Sequence, residues 1–416
     1  MPQGHTRLKP NPEQHAPSAD LVPGLPPPEN RRFFPGLDGL RAVAVILVFL
    51  QHYPTEKIHI SWGWTGVDLF FVLSGFLITG ILYDTRDAAH RVRNFYARRA
   101  LRIFPLYYTV LLIALGLYPL FHWILHPGLI LLPVYLANYS RFLFLHDYLG
   151  PHALAVENLY ATHVAALFAH PSNRPVALYL SHFWSLCVEE QFYLVWPWIV
   201  FAVRDRIRLR NLCAAVFALG LALRLICAFT LPQTLLHADL LYRATPFRID
   251  ALLVGGLLAL ALRGPERLWI QEAGGRLMGS TAVVFLLLEL ASHITQHHLL
   301  SLESTAPWMS TLGFSLVDLF CAGVILIAIQ PRTVLSRIMQ LPWLRKLGQM
   351  SYGFYILHYP PQILYLWVTR HYFQPHLRHV GPAYLLLAFA STVLLAWLSF
   401  RFFEMPFLRL KATFAD

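Results

Sequence analysis

From residue 36 onward the chain alternates long apolar runs with short basic clusters. About ten of the runs have membrane-spanning length, roughly 17–25 residues with their flanks. Their approximate cores are 36–53, 64–83, 103–122, 184–203, 211–230, 246–262, 277–294, 312–330, 351–369 and 383–404. The pattern predicts an all-α integral membrane protein with about ten transmembrane helices. The stretch 128–139 is apolar but too short to span, and it reads as an interfacial or re-entrant helix. No internal repeat is visible.

The first apolar run breaks its own pattern. Leu37-Asp38-Gly39-Leu40-Arg41 opens it and Gln51-His52 closes it, with nine apolar residues between Arg41 and Gln51. Arg41 and His52 return to nearly the same helical face, about 16 Å apart along the axis. Ionisable groups inside a membrane segment are costly, and the usual reason for them is a polar site or pathway. The bland alternative is a salt-bridged Arg with an interfacial His at the outer end of the helix.

Composition agrees with a membrane protein. The chain is 56% hydrophobic and 13% charged, with mean hydropathy +0.50. Its net charge of +11 does not point to nucleic acid, because the basic residues sit in short clusters between apolar runs. With both termini in the cytoplasm, the inner segments hold about 23 Lys and Arg and the outer loops about 6. Residues 1–33, rich in proline, are expected to form a disordered cytoplasmic tail. Residues 34–408 form the membrane unit and 409–416 a C-terminal cytoplasmic tail. Residues 1–33 show no cleavable signal peptide. Cys187, Cys213, Cys227 and Cys321 lack CxxC spacing and read as packing residues. His293, His297, His298, His371, His376 and His379 fall in outer loops without tight ligand spacing, so no metal site is expected. The long outer loop, 123–183, is expected to cover an external groove.

Four segments carry candidate chemistry. His52 suits a general base, since imidazole titrates near working pH, with Arg41 or Asp38 tuning it from below. Arg99 and Arg102 share a helical face, and two guanidinium forks suit a polyphosphate. Most of the neighbouring arginines read as topology anchors. Ser185 and Glu189 are spaced to face one cavity, or else Ser185 caps the helix with acids in its first turn. Asp68 enters the second run and can pair with His52, while Ser74 and Gly75 are small enough for close helix packing. Arg248 and Asp250 are expected to pair with other helices, and Arg401 with Glu404. There is no GxSxG, HExxH or P-loop.

These segments together resemble the acyltransferase-3 family of membrane acyltransferases over about residues 34–408. The matching pieces are Leu37-Asp38-Gly39-Leu40-Arg41-Ala42 followed by His52, Gly66-Val67-Asp68 through Ser74-Gly75-Phe76, and Arg99-Ala100-Leu101-Arg102-Ile103-Phe104-Pro105. They continue with Phe183-Trp184-Ser185 through Glu189-Glu190-Gln191-Phe192-Tyr193 and Phe247-Arg248-Ile249-Asp250. The last are Leu347-Gly348 with Ser351-Tyr352 and His358, and Arg401-Phe402-Phe403-Glu404-Met405-Pro406-Phe407. Cys187 stands where a small Ser or Gly is common in the family. Many relatives add an extracytoplasmic SGNH esterase-like domain. The chain ends at Asp416, so a stand-alone form is expected.

The resemblance implies an O-acyltransferase of the bacterial inner membrane, with no permanently bound cofactor. Its donor is acyl-coenzyme A, most often acetyl-coenzyme A. Its acceptor is a hydroxyl of a cell-surface or lipid-linked glycan, such as a polysaccharide or O-antigen. In that scheme Arg99 and Arg102 hold the coenzyme phosphates and His52 deprotonates the acceptor. Glu189 or Asp68 stabilises the imidazolium, and Ser185 or Arg41 the developing oxyanion. A transient acyl-histidine is a second route. Two other readings stay open. One is acylation of a small secondary metabolite. The other is a transporter or flippase with Arg41 and His52 along its pathway.

Overall fold

The computed structural model describes residues 34–55, 60–121, 130–143, 180–231, 235–296, 308–362, 365 and 382–414. The expected tail 1–33, most of the long outer loop and the loop histidines fall outside these residues, or in helix ends whose side chains are not described. All regular structure among the described residues is helical.

Helix α1 (Gly36–His52) ends just before Pro54, which cannot continue a helix. It is followed by α2 (Thr65–Asp84) and the long α3 (Arg91–Phe121). Next come α4 (Trp184–Ala202) and α5 (Arg206–Thr230), whose first turn is capped by the Asp205 carboxylate accepting from the Arg208 N–H at 2.7 Å. The remaining principal helices are α6 (Ile249–Ala261), α7 (Gly274–Gln296), α8 (Phe314–Ala328), α9 (Pro342–Gln349), α10 (Ser351–Leu357) and α11 (Pro382–Leu398).

Six helical stretches are long and apolar enough to cross a membrane: Thr65–Asp84, Arg91–Gly116, Arg206–Thr230, Gly274–Ala291, Met309–Ala328 and Pro382–Phe414. Helices also stand at the other four expected positions, α1, α4, α6 and α10. Three of these are shorter, and α4 carries Glu189, Glu190 and Gln191 within it. Leu112, Leu194, Trp198, Phe229, Leu286 and Leu386 are exposed, giving the apolar outer surface of a multi-pass membrane protein.

The core is set by close contact between α2 and α6. A Cβ on Gly75 would lie 1.7 Å from the Leu252 carbonyl oxygen, and one on Gly255 would lie 2.0 Å from that of Val72. Backbone meets backbone at both points, so neither neighbour can rotate away. Gly75→Ala is therefore expected to separate the two helices and cost several kcal/mol, as overpacked cores do at about 1–3 kcal/mol or more. A lowered melting temperature in detergent would show it, and an unchanged one would refute the contact.

Buried ion pairs lock the same region. Arg248, immediately before α6, pairs with Asp68 of α2, with Asp318 of α8 beside them. Arg224 of α5 pairs with Asp250 of α6 at 2.7 Å and also donates to the carbonyls of Thr311 and Phe247 and to the Ser315 hydroxyl. Arg248 and Asp250 thus reach separate helices, as expected.

Two expectations change. Arg401 and Glu404 do not pair: residues Ser399–Glu404 form a π-turn, whose wider winding turns positions three apart onto different faces. Glu404 is buried and accepts from the Ser399 hydroxyl at 3.0 Å, whereas Arg401 is exposed. The described part of the segment expected as an interfacial helix, 130–139, is not one continuous helix: turns over 132–135 precede a short 3₁₀ helix, Ala137–Tyr139. Tyr135 has φ 54°, the left-handed region, which breaks the segment before that 3₁₀ helix. Its irregular carbonyls are satisfied by α3 and α4: Tyr107 donates to Leu132 at 2.8 Å, Tyr108 to Pro133 at 3.0 Å and Gln191 to Tyr135 at 2.7 Å.

Candidate active site

Two cavities meet inside the helix bundle. The first has a volume of about 100 Å³ and is lined by Arg41, Arg99, Arg102, Ser185, Glu189 and Tyr193, among others. The second, about 190 Å³, is lined by His52, His182, Tyr242, Arg243 and Gln51, among others. Tyr355 and Val67 line both. Helix α1 runs past the junction, so Arg41 and His52 fall in different compartments, as the eleven-position spacing allows.

In the first cavity Arg41 is held by Asp38 one turn earlier, at 3.2 Å. The Arg99 guanidinium lies 5.5 Å from the centre of the Tyr193 ring. Arg102, one turn further along α3, lines the same space. Around Glu189 stand the guanidiniums of Arg99 and Arg41 and the hydroxyls of Ser74 and Tyr193, which are hydrogen-bonded to each other. Among the described residues this compartment offers three guanidiniums against one lining carboxylate.

Ser185 is not a helix cap, for Phe183 occupies that position and no side chain caps the turn. Its hydroxyl bonds instead to the Tyr355 hydroxyl at 2.6 Å, and Tyr355 donates to the His182 carbonyl at 2.8 Å. The pair forms a fixed polar waist between the cavities.

In the second cavity His52 closes α1 against two further histidines. Its Nδ1 is 3.0 Å from Nε2 of His358, whose Nδ1 is 2.7 Å from the Tyr355 carbonyl oxygen. The His182 ring centre is 6.3 Å from that of His52 and 5.0 Å from that of His358. The backbone of His52 is tied down by Gln362, which donates to its carbonyl at 2.5 Å. Asp68, expected near His52, is taken up by Arg248 and lies off both cavities. Val67 faces the junction, and the next residue of α2 is turned about 100° away, toward α6.

The structure therefore brings Arg41, Arg99, Arg102, Ser185 and Glu189 into one compartment and sets His52 in the next. His182, Tyr355 and His358 were not singled out for chemistry from sequence, although all three lie in or beside the matched motifs. His52 and His358 are 306 positions apart, so no spacing rule could join them.

The described residues form a helical bundle with apolar flanks, in which a cavity lined by Arg41, Arg99 and Arg102 adjoins one lined by His52 and His182. The chain belongs to the acyltransferase-3 family, since the model described as an acyltransferase domain matches residues 34–401. Among similar proteins, the O-acetyltransferase OatA of Staphylococcus aureus is 27% identical over 383 residues, 90% of this chain and 57% of that protein. The putative peptidoglycan O-acetyltransferase YrhL of Bacillus subtilis is 30% identical over 396 residues, 91% of this chain and 55% of that one. The peptidoglycan O-acetyltransferase OatA of Listeria monocytogenes is 29% identical over 397 residues, 91% and 56% of the two chains. This chain thus spans a little over half the length of these relatives. No solved structure matches it.

Proposed function

We propose that this protein is an O-acyltransferase of a bacterial cytoplasmic membrane. It moves an acyl group, acetyl by analogy with the similar proteins, from acyl-coenzyme A to a hydroxyl of a cell-envelope glycan. Peptidoglycan is the acceptor named for two of the similar proteins and the first to test. The observation that carries this reading is α1 itself, which delivers Arg41 to the cationic compartment and His52 to the adjoining one.

In this scheme the cationic compartment faces the cytoplasm. Arg99 and Arg102 bind the coenzyme phosphates, because planar guanidinium forks match phosphate oxygens. The thioester passes Tyr355 toward His52. His52 takes the proton of the acceptor hydroxyl, whose oxygen attacks the thioester carbonyl. The C–O bond forms, the C–S bond breaks, and the departing thiolate recovers the proton from His52. The products are the ester and free coenzyme A.

The test is thiol release from acetyl-coenzyme A by protein in nanodiscs, with peptidoglycan fragments as acceptor. Arg99→Ala is expected to raise the donor KM about 10- to 100-fold, the worth of one hydrogen bond to a charged group at about 1.5–3 kcal/mol. An unchanged KM would remove Arg99 from the donor site. Coenzyme A binding without acyl transfer to any acceptor, together with movement of a substrate across the bilayer, would favour a transporter.

A further inference from the structure

We infer that His358 is a positioning residue that fixes the tautomer of His52 and so decides which of its nitrogens is the base. The chemical meaning of this rests on the reaction proposed above, while the tautomer itself does not.

The chain of hydrogen bonds has one end that cannot be reversed. The Tyr355 carbonyl oxygen only accepts, so the His358 Nδ1 that lies 2.7 Å from it carries the hydrogen. In a neutral imidazole the other nitrogen then holds a lone pair. That nitrogen, Nε2, is 3.0 Å from His52 Nδ1, so the bond between the rings requires His52 to donate from Nδ1–H, while the Val48 carbonyl one turn back on α1 also lies in reach of the His52 ring. His52 is left with its lone pair on Nε2, and His52 lines the second cavity. The lone pair is thereby reserved for a proton arriving from a bound hydroxyl.

The orienting residue is itself held on several sides. His358 is 1% exposed. Its ring stacks on Phe354, 12° from parallel, and on Tyr359, 24° from parallel. Its backbone N–H donates to the Phe354 carbonyl at 3.0 Å, and its carbonyl accepts from the buried Tyr53 hydroxyl. Tyr53 follows His52 directly in sequence, so the two residues are linked both through side chains and through this bond. Among the described residues no carboxylate lines the His52 cavity: Glu189 stands in the other compartment and Asp68 belongs to Arg248. His358 thus takes the orienting place that a carboxylate holds in a Ser-His-Asp triad, where the wrong tautomer cripples the base although the geometry is intact. Unlike a carboxylate, it brings no charge. When His52 becomes imidazolium, its Nδ1–H bond to His358 becomes charge-assisted and strengthens.

The decisive experiment is nitrogen-15 NMR of histidine-labelled protein in nanodiscs, with the His52 signals identified by their loss in His52→Ala. The expected result is Nδ1–H with an unprotonated Nε2 on His52 in the wild type, shifting toward Nε2–H in His358→Phe. His358→Gln, whose carbonyl can accept from Nδ1–H, is expected to keep the wild-type tautomer. In thiol release, His358→Phe is expected to lose about 10- to 100-fold in kcat, the usual effect of removing an outer orienting partner, with the donor KM unchanged. His358→Gln is expected to recover most of that loss.

An Nε2–H on His52 in the wild type would overturn the inference outright. So would the expected tautomer combined with wild-type kcat in folded His358→Phe. If the tautomer pattern holds and the wild type releases no thiol with any acceptor, the proposed reaction fails and the assignment of the free nitrogen stands.

Discussion

His52→Ala is expected to lower kcat for thiol release by about 10²- to 10⁴-fold, the range for losing a positioned general base. The donor KM should change little, because the groups assigned to the donor phosphates are in the other cavity. The split between kcat and KM separates this variant from Arg99→Ala, where the effect falls on KM. His52 is partly exposed to its cavity, at the last turn of α1, so truncating it removes few core contacts. A melting temperature close to wild type should accompany the lost turnover. A variant that keeps kcat within threefold of wild type would remove His52 as the base.

The second large effect is on stability. Arg248→Ala leaves Asp68 buried without its guanidinium, and Asp68 is 0% exposed. Breaking a buried pair by removing one partner costs about 3–5 kcal/mol in soluble proteins, because the orphaned charge keeps its desolvation penalty. Loss of most of the folded protein peak on size-exclusion chromatography in mild detergent is the expected readout. The double variant Arg248→Met with Asp68→Leu removes both charges, so it should recover a substantial part of the loss. If the double variant is no better than Arg248→Ala, the pair is not the source of the effect. The same experiment bears on Asp68, which from sequence was a candidate for the chemistry. A double variant that folds and still turns over would place Asp68 in the scaffold.

Much of the architecture was legible because lipid allows few alternatives. Long apolar runs must be helices, and a helix stands at each of the ten predicted positions, six of the stretches being long and apolar enough to cross a membrane. The lengths were less legible. Helix α6 stops at 13 residues and α10 at 7, shorter than their apolar runs. Proline explains the second case, since Pro360 and Pro361 follow closely, and the Arg248 turn limits the first. The cationic compartment was readable in advance through local spacing: Arg99 with Arg102, and Ser185 with Glu189, sit on single helix faces. The histidine cluster was not. Its members come from α1, the turn before α4 and the end of α10, and joining them takes three-dimensional packing. The pairing of Arg401 with Glu404 failed for a related reason, because spacing predicts contact only where the winding is regular.

The short α6 also has a consequence for depth. Thirteen residues rise only about 20 Å, against a hydrocarbon layer of about 30 Å. Helix α6 is therefore too short to cross such a layer alone, and the chain ahead of it, through Arg248, makes up part of the depth. The irregular backbone that leads into it, Thr245–Phe247, is sheltered by Arg224, which bonds the Phe247 carbonyl. Tyr242 and Arg243, just ahead of that turn, reach the wall of the His52 cavity. In the proposed reaction the acceptor would meet His52 in the cavity that Tyr242 and Arg243 help to line. A bulky polar polymer could present one hydroxyl at this recess while the rest of its length stays in water.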